Sequence, residues 1–196
     1  MQQIENNISG YILAGGKSSR MGSDKGLMLL NKKAVIQHAF EQLEKSVKNI
    51  FIISNNIEYE KFGFELIPDL IKDIGPAGGI YTALKHTHTN QNFIMSCDMP
   101  FVTTSAINFL LQKANSSQIN LAIHKNKIEP LFGLYSKDCL AKWEKLILQN
   151  IIKLQTLVTH FNLQKIDFDQ NDLFGDKLFL NLNTKKDFER ALSQLM

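Results

Sequence analysis

The chain is poor in the features that mark the special classes of protein. It has 2 cysteines in 196 residues, Cys97 and Cys139, far apart and not in a C-x-x-C. A disulfide scaffold is thereby excluded as the source of stability, and a reducing compartment is expected. Prolines number only 4, each following or interrupting an apolar run, where strands end or loops turn. No apolar stretch approaches the roughly 18 consecutive residues that a membrane span needs. The opening MQQIENNISG lacks a basic segment followed by an apolar one, so no signal peptide is expected and the protein is read as cytoplasmic. Charge of one sign is also missing. Lys and Arg total 22 against 19 Asp and Glu, a net +3 that points to neither nucleic acid nor a membrane as partner. There is no repeat, low-complexity tract or linker.

What is present is an ordinary core-forming composition, 44 % hydrophobic and 21 % charged, enough to exclude disorder. At this length one α/β domain spanning 1–196, with 1–8 as a short N-terminal tail, is the expectation. Short apolar runs at Tyr11–Leu13, Ile50–Ile53, Phe64–Ile67, Phe93–Met95, Leu121–Ile123, Leu131–Tyr135, Leu163–Phe168 and Leu178–Leu180 read as strands. Between them, Ile36, Phe40, Leu43 and Val47 recur at helical spacing, as do Ala106, Leu110 and Ala114, and again Leu140, Trp143 and Ile147. Phe188, Ala191, Leu192 and Leu195 form a last helix with Thr184 as its N-cap. Strand alternating with helix predicts a Rossmann-like three-layer α/β/α domain with a mostly parallel sheet. Ligands of such sheets bind beyond the strand C-termini, so chemistry is sought in the loops after strands.

The loop after the first strand carries most of the signal. It reads Leu13-Ala14-Gly15-Gly16-Lys17-Ser18-Ser19-Arg20-Met21-Gly22-Ser23-Asp24-Lys25. Its glycines permit close backbone approach, its N–H groups can converge on an anion, and Lys17, Arg20 and Lys25 supply cationic donors. It is not a Walker A loop, because the required first glycine falls on Tyr11. Nor is it a dinucleotide fingerprint, because Gly15 and Gly16 are adjacent. A Gly-rich surface turn is the bland alternative.

Other strand ends carry polar groups open to two readings. Asp69, after Pro68, is either a turn cap or an acceptor for a base or sugar donor. Gly75-Pro76-Ala77-Gly78-Gly79 is either a Pro-Gly turn or a helix start that lets a ligand reach free N–H groups. Asp98, in Ser96-Cys97-Asp98-Met99-Pro100, is either a cap or a Mg²⁺ ligand. Asn55 and Asn56 follow the second strand in an Asn-rich turn. Cys97 reads as packed, with no His or Lys beside it. The five histidines show no metal-ligand spacing apart from His86-x-His88.

The run LAGGKSSRMGSDKGL resembles the nucleotidyltransferase signature LAGG-x-S-x-RMG-x-DK, and most of all that of the molybdenum cofactor guanylyltransferases. The resemblance extends from about Gly10 to Thr184. It implies transfer of GMP from GTP to molybdenum-molybdopterin, with Mg²⁺ as cofactor and pyrophosphate as the leaving group. It implies that Leu13, Ala14, Gly15, Gly16, Lys25, Asn55, Asp69 and Asp98 bind GTP, that Asp98 holds the metal, and that Lys25, Arg20 and Asp98 are catalytic. The Gly75–Gly79 segment resembles the family's GPLAG and favours guanine over cytosine. Asn55 is the positional match to the family's Asn, with Asn56 its rival. Glu129-Pro130 and Asn181-Leu182-Asn183-Thr184 resemble segments that line the molybdopterin side. Transient contact with molybdopterin-handling proteins and molybdoenzyme chaperones is a further implication. A cytidylyl- or sugar-phosphate nucleotidyltransferase would share the loop and Asp98. A non-catalytic nucleotide-binding regulator is the reading from another class, and intact Lys25 and Asp98 speak against it.

Overall fold

The first strand sets the architecture. β1 (Ile8–Leu13) is buried at every position, as expected of a strand covered on both faces. Its alternation feeds two cores. Ile8 and Ile12 enter one apolar cluster, and Tyr11 and Leu13 enter another on the opposite face. The computed structural model describes residues 8–15 and 24–195.

β1 lies between β4 (Asn49–Ile53) and β6 (Gln91–Ser96), parallel to both, with Tyr11 level with Phe51 and Ile94. Beyond β4 lies β5 (Glu65–Ile67), also parallel. Beyond β6 the order continues with β8 (Lys127–Ser136), β7 (Ile119–His124) and β9 (Leu163–Asp167), giving β5-β4-β1-β6-β8-β7-β9. A separate two-stranded ribbon pairs β2 (Leu29–Leu30) with β3 (Lys33–Ala34). Helices α1 (Val35–Leu43) and α3 (Thr104–Lys113) cover one face, with Ile36, Leu43, Ile107 and Leu110 in the core. Helices α2 (Pro76–His86) and α4 (Leu140–Leu148) cover the other, where Ile80, Leu84 and Trp143 are buried. A short turn of helix, α5 (Leu154–Leu157), precedes β9. The final helix α6 (Lys185–Leu195) packs Ala191 with Leu30, Val35 and Leu182 in a small third cluster. The chain is a single α/β domain with a mixed, mostly parallel sheet between helical layers, the Rossmann-like arrangement expected. No described helix is long and apolar enough to cross a membrane.

Two elements depart from the sequence reading. Leu178–Leu180 is not a strand. Leu178 and Phe179 are both buried in the same core, which the two-residue alternation of a strand forbids. Backbone bonds from Leu178 to Gly175 and from Leu180 to Lys177 close tight turns there instead. The second departure is β8, which runs antiparallel to both neighbours. No helix separates it from β7. Lys125 and Asn126, at φ 50° and 59°, make the left-handed two-residue turn of a hairpin. Within that hairpin the register slips, with Leu121 opposite Gly133 and the next residue, Ala122, opposite Glu129. Pro130, Leu131 and Phe132 therefore form a bulge.

The slip depends on Gly133. A Cβ there would stand 2.3 Å from the Leu121 side chain and 2.6 Å from the Asn120 carbonyl oxygen. The backbone oxygen cannot swing away as a side chain can. We expect Gly133→Ala to cost about 1–3 kcal/mol in urea unfolding. Gly175→Ala, where an added Cβ meets nothing within 4 Å, should stay within about 0.5 kcal/mol. Equal effects at the two positions would contradict this account of the bulge.

Candidate active site

The strands β4, β1 and β6 end level, and their hydrogen-bond ladder continues into the loops that follow. Ala14 N–H donates to the Ile53 carbonyl at 2.9 Å, Cys97 N–H to Leu13 at 3.0 Å, and Ser54 N–H to Ile67 at 3.0 Å. Above this crest opens a cleft of about 900 Å³. Leu13, Ala14, Gly15, Asn55, Asp69 and Asp98 all line it, with Gly75 and Pro76 at the start of α2. Gly15 sits at φ 132°, a backbone angle that residues with a side chain rarely adopt. Gly16 and Arg20 lie outside the described residues.

Asn55 and Asp69 grip each other. The Asn55 amide donates to Asp69 Oδ2 at 3.2 Å, and Asp69 N–H donates to Asn55 Oδ1 at 3.2 Å. Burial holds the Asp69 carboxyl above the usual carboxylate range. The two asparagines thus differ. Asn56 points away to other work, capping the 3₁₀ turn Ile57–Phe62 through Glu58 N–H and donating to Asp24 Oδ2 at 3.0 Å. Only Asn55 of the pair lines the cleft.

Asp98 stands on the turn after β6. Ser96 Oγ donates to its Oδ1 at 2.6 Å, and its backbone carbonyl accepts from Leu182 N–H at 3.0 Å. Lys25 Nζ lies 3.9 Å from Asp98 Oδ2 and donates to Asn183 Oδ1 at 2.6 Å. Three distant stretches of sequence therefore meet at one ammonium group. No trio of His, Cys, Asp or Glu is placed to hold a metal among the described residues. A Mg²⁺ carried by phosphates needs only one or two protein carboxylates, and Asp98, opening on the cleft, supplies one of the right kind.

Sequence reasoning missed what fixes Lys25. Its neighbour Asp24 caps the 3₁₀ turn Lys25–Leu27, and its carboxylate receives three donors. Gly26 N–H reaches Oδ1 at 3.1 Å, Tyr59 Oη reaches the same oxygen at 2.5 Å, and Asn56 takes Oδ2. Tyr59 is fully buried, and burial pushes its phenol far above the ordinary value, so it stays a donor. Gly26 packs so closely that a Cβ would stand 2.3 Å from Tyr59 Oη. Asp24 belonged to the recognised run, but nothing in the sequence linked Tyr59 to it. Cys97 is buried beside Gly26, its thiol pushed upward by burial, as a packed cysteine is. His86 is engaged with Tyr11 Oη at 3.0 Å and lies 3.6 Å from Glu65.

Glu129, in the bulged hairpin, also lines the cleft, together with Asn181 and Asn183. Burial raises its carboxyl from 4.5 to about 7.

Residues 10–162 match the MobA-like NTP transferase domain. Over 168 residues the chain is 36 % identical to a probable molybdenum cofactor guanylyltransferase of Flavobacterium johnsoniae, covering 85 % of this chain and 88 % of that one. Over 191 residues it is 34 % identical to a molybdenum cofactor guanylyltransferase of Syntrophotalea carbinolica, covering 93 % and 89 %. Among solved structures, the molybdopterin-guanine dinucleotide biosynthesis protein A of Archaeoglobus fulgidus superposes with a TM-score of 0.81 at 25 % identity, covering 95 % of this chain and 98 % of that one.

Two outcomes follow from the site's polar contacts. Tyr59→Phe removes one of the donors to Asp24 and should cost about 1–2 kcal/mol in urea unfolding. It should also speed hydrogen exchange at the Gly26 amide, and an unchanged exchange rate would show that Tyr59 does not hold the turn. Glu129 has its folded pKa raised, so its contribution to stability is fully present below 4.5 and is lost as pH rises towards about 7. Glu129→Gln should therefore match the parent near pH 4.5 and be the more stable protein at pH 8. A stability difference independent of pH would contradict the burial of this carboxylate.

Proposed function

The chain belongs to the MobA-like NTP transferase family, and on that premise we propose that it transfers GMP from GTP to molybdenum-molybdopterin. As a nucleotidyltransferase of molybdenum cofactor biosynthesis it needs a donor site and an acceptor site along one cleft. The observation that carries the reading is the meeting of Lys25 and Asp98 above the β1–β6 crest, flanked by Gly15 and the Asn55–Asp69 pair.

In this reading the nucleoside lies over the ends of β1, β4 and β5. The Leu13–Gly15 backbone and the Asn55–Asp69 pair orient base and ribose. The triphosphate runs toward Lys25, with Gly16 and Arg20 assigned to it by resemblance. A phosphate oxygen of the acceptor attacks the α-phosphorus in line, forming the new P–O bond as the bond to the β-phosphate oxygen breaks. Pyrophosphate leaves with that electron pair. The acceptor phosphate is already ionised near neutral pH, so no general base is required. Such a reaction depends on positioning and on charge stabilisation. Lys25 offsets the charge that develops on the leaving group. Asp98 is the residue that would hold Mg²⁺, and the ion would supply charge neutralisation at the phosphates. Ser96 holds one Asp98 oxygen, which fixes the carboxylate's orientation.

Calorimetric titration with GTP, CTP and ATP in the presence of Mg²⁺ tests the donor assignment. Selective binding of GTP is the expected result, and a preference for CTP would move the chain to the cytidylyl branch. Asp98→Ala should abolish guanylyl transfer while the protein stays folded. Lys25→Ala should lower kcat/KM for GTP by about 10²–10³-fold, the usual effect of removing one preorganised charge donor. Normal Mg²⁺-dependent turnover in Asp98→Ala would remove that residue from the metal.

A further inference from the structure

Two consecutive asparagines after β4 serve different partners. Asn55 lines the cleft and pairs with Asp69, on the side assigned to the nucleoside. Asn56 turns to Asp24, the residue before Lys25, and donates from Nδ2 to Oδ2 at 3.0 Å. Its other polar groups are engaged too. Its Oδ1 accepts from Glu58 N–H at 3.1 Å, and its own N–H donates to Ser54 Oγ at 3.1 Å. Ser54 is buried, and its Oγ lies 3.5 Å from where a Cβ on Gly15 would stand. The loop after β4 therefore meets the loop after β1 at two points, Gly15 and Asp24.

Capping accounts for only half of Asn56. Asp and Ser cap a helical turn about as well as Asn, but neither carries an amide donor. Of the good capping residues, asparagine is the one that can cap and also donate to a carboxylate. That donor matters because of what the carboxylate holds. Asp24 Oδ1 takes Gly26 N–H and Tyr59 Oη, and Oδ2 takes Asn56. A lysine carries its charge on a flexible four-carbon stem, so its ammonium is placed only as well as the backbone beneath it. The far end of Lys25 meets Asn183 at 2.6 Å and lies 3.9 Å from Asp98. The near end is fixed through Asp24.

We propose that Asn56 is a positioning residue for the nucleotide. Acting through Asp24, it sets Lys25 at a fixed span from the nucleoside side held by its neighbour Asn55. The span matches a triphosphate, so the site favours GTP over GMP. Asn56 touches no substrate and acts only through Lys25. The proposal rests on the guanylyl-transfer reading above.

Calorimetry with GTP and with GMP, each with Mg²⁺, reads this span, because both carry the same nucleoside and only GTP extends to Lys25. Asn56→Asp and Asn56→Ser keep a capping oxygen and remove the donor, the second without adding a charge. Each should weaken GTP binding about tenfold, a coupling of the size found within one polar network, and leave the Kd for GMP within about twofold. In a Lys25→Ala background, Asn56→Ser should change the Kd for GTP by less than about twofold. The double variant Asp24→Asn/Asn56→Asp exchanges donor and acceptor across the same pair, keeps the net charge, and leaves an oxygen for Gly26 and Tyr59. It should recover most of the GTP affinity.

Unchanged GTP binding in Asn56→Ser would overturn the proposal. So would an equal loss for GMP, which would make Asn56 a cap and nothing more. A tenfold loss that persists without Lys25, or an exchange variant as weak as Asn56→Asp, would overturn it as well. A parent that binds neither nucleotide would instead remove the guanylyl-transfer reading itself, and this inference with it.

Discussion

The cleft is held by backbone hydrogen bonds that continue beyond the ends of three parallel strands. Ala14, Ser54 and Cys97 each add one more rung after the regular ladder has stopped. A parallel sheet sends its crossover loops off the same edge, so these rungs decide where each loop begins to turn. Gly15, Asn55 and Asp98 sit one residue past such a rung, and their positions inherit the rigidity of the sheet. Loops alone are too mobile to hold ligands to within a fraction of an ångström. Here the first residues of each loop behave as sheet.

Two acids show how differently the fold treats charge. Asp24 is surrounded by donors from Gly26, Tyr59 and Asn56, and it locks the short turn that carries Lys25. Glu129, half-buried in the cleft, has burial against its charge and Lys127 as a charged neighbour in its favour. A fully satisfied buried network specifies one geometry, whereas a carboxyl raised by burial weighs on stability once it ionises. The first belongs to the machinery that stays still, and the second opens on the cleft. Proteins commonly accept lower stability at such places.

Much of this was legible in the sequence. The apolar runs located β1, β4, β5, β6, β7, β8 and β9, and the clearest of them, β1 and β6, are nearly continuous hydrophobic segments because both faces are buried. The Gly-rich loop and the acids at strand ends pointed to the cleft for a local reason, since each follows directly on its strand. What was not legible depends on contacts distant in sequence. Tyr59 meets Asp24 across 35 residues, and only packing against Gly26 shows why. The reversal of β8 hangs on a two-residue turn at Lys125-Asn126, which lacks the glycine that usually announces a hairpin. Leu178 and Phe179 look like strand residues because plugging a core and lining a sheet demand the same side chains.

The bond from Lys25 to Asn183 spans 158 residues, and it sets an order in time. A ribosome adding 5–20 residues per second needs roughly 8–32 s to carry synthesis from the first partner to the second. During that interval β1, β4, β5 and β6 have emerged with their loops, while the segment that reaches back to Asp98 and Lys25 has not been made. The nascent chain can assemble the wall bearing Asn55 and Asp69 long before Asn181 and Asn183 exist. The last edge of the cleft, Asn181 and Asn183, is therefore added only as translation ends, and a chain stalled before residue 181 lacks it.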